Sequence, residues 1–256
     1  YNQLDWLIPW YVGDYVDLTR DQKISLKQQL EPLLRWHRGE ELGSYLILVD
    51  SIEQDLAGPI SSDTVQGWID AGTVAMQRLE AQVLPLAFDM GEQLSGEQMQ
   101  EFLEKLWDKQ AELEEEYLER DEQEYVEESY DNFAENLQEF LGKLEPEQKQ
   151  RIREASASLL RFDTAWLAER RAWLDLLQRV LTAREPGWQE QIRQANAQRE
   201  GQQSAEYRDA YLHNQRVINA AIADVLNARS DKQSAHLKEE IADLRKLLRK
   251  LIAQAD

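Results

Sequence analysis

The sequence predicts an all-α protein, an elongated bundle of about eight helices that includes a long antiparallel helical hairpin. Three observations predict it. Apolar residues recur at three- and four-residue spacing along almost the whole chain, and period-two alternation is sustained nowhere. Turn formers are scarce, with 11 Gly and 6 Pro in 256 residues, which disfavours sheet architectures that need frequent turns. The apolar fraction, 42% with eight Trp, is large enough to fill a core.

Helices are expected over 2–12, 20–37, 40–57, 62–88, 96–141, 146–183, 186–226 and 231–254. Leu26, Leu30, Leu33 and Leu34 form one stripe, and Phe102, Leu103, Leu106 and Trp107 another. Leu159, Leu160, Trp166, Leu167, Trp173, Leu174 and Leu177 extend the pattern, and Ile241, Leu244, Leu247, Leu248 and Leu251 close it. Breaks are expected at Gly58-Pro59, around Ser95 between Gly91 and Gly96, between Gly142 and Pro146, and at Glu185-Pro186-Gly187. Pro9, Pro32 and Pro85 are expected to kink their helices. The segments 96–141 and 146–183 form the expected hairpin. Residues 1–91 are expected as an N-terminal helical subdomain and 92–256 as a long-helix bundle, the two packed as one unit.

Charge is unevenly spread. The chain carries −20 in total, but residues 1–150 hold 11 basic and 34 acidic side chains, so the excess of acid lies entirely in the first part. Such a surface repels nucleic acid and anionic lipid, so neither is an expected partner; it serves solubility and self-complementarity between the two parts of the chain, the favoured reading, or attracts a basic partner. Residues 112–131 contain eleven acids and one Arg, yet keep an apolar stripe through Leu113, Tyr117, Leu118, Tyr125, Val126 and Tyr130. A helix with one buried face and a densely negative outer face is expected there, with Glu115, Glu119 and Glu122 as a candidate partner surface. Trp6, Trp10 and Tyr11, in the aromatic-rich start, are candidate contact residues of the same kind. The basic amphipathic segment 236–254 is expected to dock on the acidic helix.

A helix-start pattern recurs. Leu18-Thr19-x-x-Gln22, Leu94-Ser95-x-x-Gln98 and Leu144-Glu145-x-x-Gln148 each precede an amphipathic run, and Ser230-x-x-Gln233 is a weaker fourth copy. The second residue caps the helix and the Gln returns a bond to the cap backbone, while the leading Leu staples onto the first turns. The Gln residues stand 76, 50 and 85 positions apart, so the copies form no regular repeat.

Leu18-Thr19-x-x-Gln22 resembles the LTxxQ motif of the periplasmic Spy/CpxP proteins, which are all-α, cofactor-free stress proteins, some of them ATP-independent chaperones; the other copies match it in part. The opening Tyr1-Asn2-Gln3-Leu4-Asp5-Trp6-Leu7-Ile8-Pro9-Trp10-Tyr11, with Tyr15, Leu18-Thr19-x-x-Gln22 and Leu34-x-Trp36-His37-Arg38, resembles an uncharacterised family of proteobacterial lipoproteins. That resemblance implies a periplasmic protein held at the outer membrane by a lipid on a Cys upstream of residue 1.

Chemistry is sparsely provided. Cysteine is absent and His is 3. His37, in Trp36-His37-Arg38, reads as a helix C-terminal residue bonding the last carbonyls. His213 stands near Asp209 and Glu206, and His236 near Glu239, but Glu-x-x-His spacing is missing. No glycine-rich phosphate loop or nucleophile elbow occurs. The expectation is therefore a non-enzymatic lipoprotein with no catalytic residue, metal or cofactor. It binds an envelope protein or unfolded client, with a second copy of itself as a further candidate partner. The alternative is a scaffold or accessory subunit of an envelope complex.

Overall fold

The computed structural model describes Ile8 and residues 11–254. The chain is all-α. Its helices are α1 (Arg20–Trp36), α2 (Leu42–Asp55), α3 (Ser62–Gln93), α4 (Gly96–Glu119), α5 (Glu122–Leu141), α6 (Pro146–Ser156), α7 (Asp163–Ala183), α8 (Trp188–Gln198), α9 (Ala205–Asn227) and α10 (Asp231–Ile252). No strand occurs among the described residues. Of the expected helix 2–12, residue 8 and residues 11–13 are described and helical; Trp6, Pro9 and Trp10 lie outside the described residues.

Four expected boundaries are corrected. The break between 37 and 40 is absent: α1 and α2 are joined by a π-helical turn, His37–Glu41. The expected helix 96–141 is two helices. Arg120 turns extended (φ −61°, ψ 132°), and Asp121 starts α5 with a full capping box, accepting from the Glu124 N–H while Glu124 accepts from the Asp121 N–H. The expected helix 146–183 stops at Ser156 and restarts at Asp163. Its intervening backbone is held from the side by Asn214, whose Oδ1 accepts from the Leu160 N–H and whose Nδ2 donates to the Leu160 carbonyl, both at 2.8 Å. The expected helix 186–226 is interrupted by a short 3₁₀ turn, Glu200–Gln202. Pro32 and Pro85 lie inside α1 and α3.

The chain forms two compact units, each assembled from three separated stretches. Unit 1 is Tyr1–Leu34, Glu80–Arg120 and Phe162–Asp209; unit 2 is Arg35–Leu79, Asp121–Arg161 and Ala210–Asp256. The division expected at residue 91 is not the one the packing draws. Helix α3 runs past that position to Gln93, and residues far apart in sequence share a core.

Unit 1 buries Leu26 and Leu30 of α1, Phe88 of α3, Met99 and Leu103 of α4, Leu181 of α7, and Trp188 and Ile192 of α8. Unit 2 buries Val65 of α3, Leu141 of α5, Ile152 of α6, Val225 of α9, and Leu237 and Ile241 of α10. The leading leucines Leu18, Leu94 and Leu144 are buried too, as staples of their caps require.

The basic helix α10 packs against α2 and α5. Its Arg245 pairs with Asp50 at 2.8 Å and with Glu53, both on α2, so this ion pairing goes to α2 and not to the acidic run 112–131. Arginines of the second part also cover aromatics of the first. Arg153 lies over Tyr130 at 4.3 Å and Arg171 over Trp107 at 5.6 Å.

Ile152 is 0% exposed, so Ile152→Ala is expected to lower unfolding free energy by about 2–5 kcal/mol. Leu212→Ala, at an exposed site, should stay within about 0.5 kcal/mol. Chemical denaturation of the two variants checks the contrast.

Candidate functional site: paired amide caps and an apolar groove

The four Gln capping residues come together in two pairs, one in each unit. In unit 1, Gln22 Oε1 accepts from the Thr19 N–H at 2.8 Å and Gln98 Oε1 from the Ser95 N–H at 3.0 Å, as the capping-box reading requires. The two amides then bond each other reciprocally, Gln22 Nε2 to Gln98 Oε1 at 2.9 Å and Gln98 Nε2 to Gln22 Oε1 at 2.8 Å. The remaining amide hydrogens go to backbone carbonyls, Gln22 to Gln93 and Gln98 to Asp17, each at 2.7 Å.

Unit 2 repeats the arrangement with Gln148 and Gln233. Their Oε1 atoms accept from the Glu145 and Ser230 N–H groups at 2.9 and 3.0 Å. Their amides exchange bonds at 3.1 and 2.8 Å, and their second hydrogens reach Val225 and Lys143 carbonyls. Ser230 also accepts from the Gln233 N–H, so this fourth copy, weaker by sequence, forms a complete box.

Each glutamine thus uses two acceptor and two donor positions, the full capacity of a primary amide. Glutamate has no donors and leucine has neither. The cap N–H fixes which end of each amide is oxygen, and that orientation makes the partner's NH₂ the only group that fits opposite. Sequence analysis found each box but not the pairing, because the partners are 76 and 85 residues apart and nothing local announces them.

The second feature lies in unit 2, between α2 and the first part of α3. Two polar contacts pin these helices at opposite ends. Arg78 donates from Nε and Nη2 to the Glu41 carboxylate at 2.9 and 2.6 Å, and Trp68 Nε1 donates to Asp55 Oδ2 at 2.8 Å. Between the pins lies a groove of about 410 Å³ whose walls include Tyr45, Ile47, Leu48, Ala71, Val74 and Ala75. The π-helical turn positions one end of it, carrying Glu41 into the interior and setting His37 Nε2 3.4 Å from the Tyr45 hydroxyl. π-Turns of this kind recur at functional sites in helices. The Arg78 guanidinium holds the Glu41 carboxyl below its usual range, and burial pushes His37 down and Tyr45 up.

The other sequence-derived candidates are placed as follows. Glu115 and Glu119 lie one turn apart on the exposed face of α4, and Glu122 is exposed in the first turn of α5. Tyr11 is exposed and its hydroxyl is 3.2 Å from that of Tyr15. His37 does not end a helix, since the chain continues helically through it; the neighbouring Arg38 bonds the Gln254 carbonyl, beyond the end of α10. His213 Nε2 sits 2.9 Å from the Ser158 carbonyl, and His236 is 3.8 Å from Glu240, not Glu239. Among the described residues, no three His, Asp or Glu side chains converge where a metal ion would sit. No described helix is long and apolar enough to cross a membrane.

Gln148→Leu or Gln233→Leu alone should cost about 1–3 kcal/mol, because each strands a buried partner amide. The double variant should cost less than the sum of the two, a coupling of about 1 kcal/mol or more in a double-mutant cycle. Glu41 and His37 both have folded pKa values below their unfolded ones. Their contributions are therefore complete above the unfolded values and fade as pH falls through the folded ones. His37→Gln is expected to flatten the decline of denaturation midpoint just below pH 6.5, and Glu41→Gln the decline below about pH 4.5.

Comparison with curated proteins and with solved structures gives no match. A family of unknown function, DUF6279, matches residues 14–208, a span that includes the whole Gln22–Gln98 pair, Gln148 and the α2–α3 groove. With about three quarters of its length so matched, the chain belongs to that family.

Proposed function

We propose that this protein is a non-enzymatic envelope protein that binds other polypeptides through its helix faces. In this reading it holds unfolded or basic envelope proteins transiently, as an ATP-independent chaperone of the kind that the Spy/CpxP-like motif suggests. It works in the periplasm, tethered to the outer membrane by a lipid. The observation that carries the reading is large apolar side chains left in solvent on a strongly acidic protein. Ile47 is 72% exposed and Met76 63%, on a chain whose net charge is −20. A surface that pairs apolar contact with negative charge suits clients that are apolar and basic. Location and tethering rest on the resemblance of residues 1–40 to proteobacterial lipoproteins.

The test is suppression of aggregation. At near-stoichiometric ratio the protein should reduce light scattering from a chemically unfolded basic client without ATP, and high salt should weaken the effect. An inert protein in this assay that nonetheless co-purifies with one stable envelope partner would favour the scaffold reading.

A further inference from the structure

Two helix faces of this chain carry opposite charge and meet no counter-charge within it. Residues 244–253, at the end of α10, hold Arg245, Lys246, Arg249 and Lys250 and no acid. Arg245 is committed to Asp50 and Glu53 of α2. Lys246, Arg249 and Lys250 are exposed, and none makes a side-chain hydrogen bond or ion pair among the described residues. The acids of α5, which also packs against α10, leave them unpaired. The exposed acids of α10 itself, Asp231, Glu239 and Asp243, all precede them. Lys246 and Lys250 stand one turn apart, with Leu247, 51% exposed, beside them.

The opposite face is at the end of α4. Glu115 and Glu119 are exposed one turn apart, with Leu118, 48% exposed, on the same side. Neither carboxylate has a hydrogen bond or ion pair among the described residues. Their neighbours are engaged: Glu112 by Lys109, Glu114 by Arg171, and Asp121 and Glu124 by their capping box. The nearest cations in sequence are spent as well, Lys109 on Glu112 and Arg120 on Asp163. The two faces therefore match in charge, in the apolar residue each carries, and in spacing, since each pair of like charges spans about 6 Å along its helix.

We propose that the end of α10 docks on the end of α4 of a second copy of this chain. Lys246 and Lys250 of one copy face Glu115 and Glu119 of the other, and Leu247 packs against Leu118. This is independent of the client-binding reading above. The contact joins different surfaces of the two copies, so it either closes into a ring or continues from copy to copy. The net charge of −20 opposes approach from afar. Salt screens that repulsion beyond about 8 Å at 0.15 M, whereas paired faces lie well inside this distance.

The test is sedimentation equilibrium of the whole chain. At about 0.15 M salt the average mass is expected to rise with concentration, and at about 1 M salt to fall back towards that of the monomer. Lys246→Glu with Lys250→Glu should weaken association at least tenfold, and so should Glu115→Lys with Glu119→Lys. All four side chains are exposed, so the circular dichroism spectrum and Tm should be unchanged. Lys246→Gln with Lys250→Gln removes the charge without reversing it and should weaken association at least tenfold as well. The two charge-reversed variants, each monomeric alone, should associate when mixed, because each then offers a face that fits an unaltered face of the other. Lys23→Glu with Lys143→Glu makes the same change in net charge at other exposed sites and should associate like the unaltered chain. A chain that stays monomeric at every concentration overturns the proposal. So does a mixture of the reversed variants that fails to associate, or a Lys23, Lys143 variant that weakens association as much as the Lys246, Lys250 one.

Discussion

A primary amide offers two donors and two acceptors, and in this protein four glutamines use all of them. Gln22 with Gln98, and Gln148 with Gln233, each tie a helix start to a distant helix start while satisfying the cap N–H of both. A buried amide in apolar surroundings is costly unless every polar atom is matched. The same fact that makes the arrangement demanding makes it specific: a slipped helix register would leave several unmatched groups at once. The leucine stapled before each of the first three caps, buried in the adjoining core, links this polar constraint to the hydrophobic one. Around these fixed points the remaining helices pack by ordinary apolar burial.

The helices were legible because their apolar spacing is strong, and the capping boxes because their geometry is local. Four breaks were not. Asp121-x-x-Glu124 is a complete box, but it sits within a run of eleven acids where one more Asp and Glu carry no contrast. The gap between α6 and α7 depends on Asn214, 54 residues away from the backbone it supports, so no local pattern reveals it. The Asn227 side chain does the same for Ile60, accepting from its N–H and donating to its carbonyl at 2.8 and 2.7 Å. The π-turn at His37–Glu41 is signalled by nothing in the sequence except Gly39, and its meaning lies in Arg78, on another helix. Of the candidate surfaces, the acidic positions Glu115, Glu119 and Glu122 are exposed, while the groove was missed. Its walls carry no local signal that sets them apart, and only three-dimensional packing shows them uncovered among the described residues.

The uneven charge has a structural counterpart. Arginines concentrated after residue 150 cover aromatic faces and pair with carboxylates supplied by earlier helices. Arg171 lies over Trp107 and bonds Glu114, and Arg193 lies over Phe88. Arg184 and Arg229 instead cap helix ends, donating to the Gly91 and Leu94 carbonyls and to the Leu56 and Leu226 carbonyls. Guanidinium groups suit both tasks, being planar and rich in donors. With these cations committed internally, negative charge dominates what faces solvent.

The interleaving of three stretches into each unit bears on how the chain acquires its structure. As it emerges from one end to the other, the first core lacks Trp188 and Ile192, and the second lacks Leu237 and Ile241, until most of the polypeptide is available. Early helices therefore exist for a time with bare apolar faces and unpartnered caps, and closure must bridge long intervals of sequence, which slows folding relative to a bundle of neighbouring helices. A chain so ordered spends its youth in the condition that invites self-association, and the density of like charge in its first part provides the electrostatic repulsion that keeps nascent copies apart.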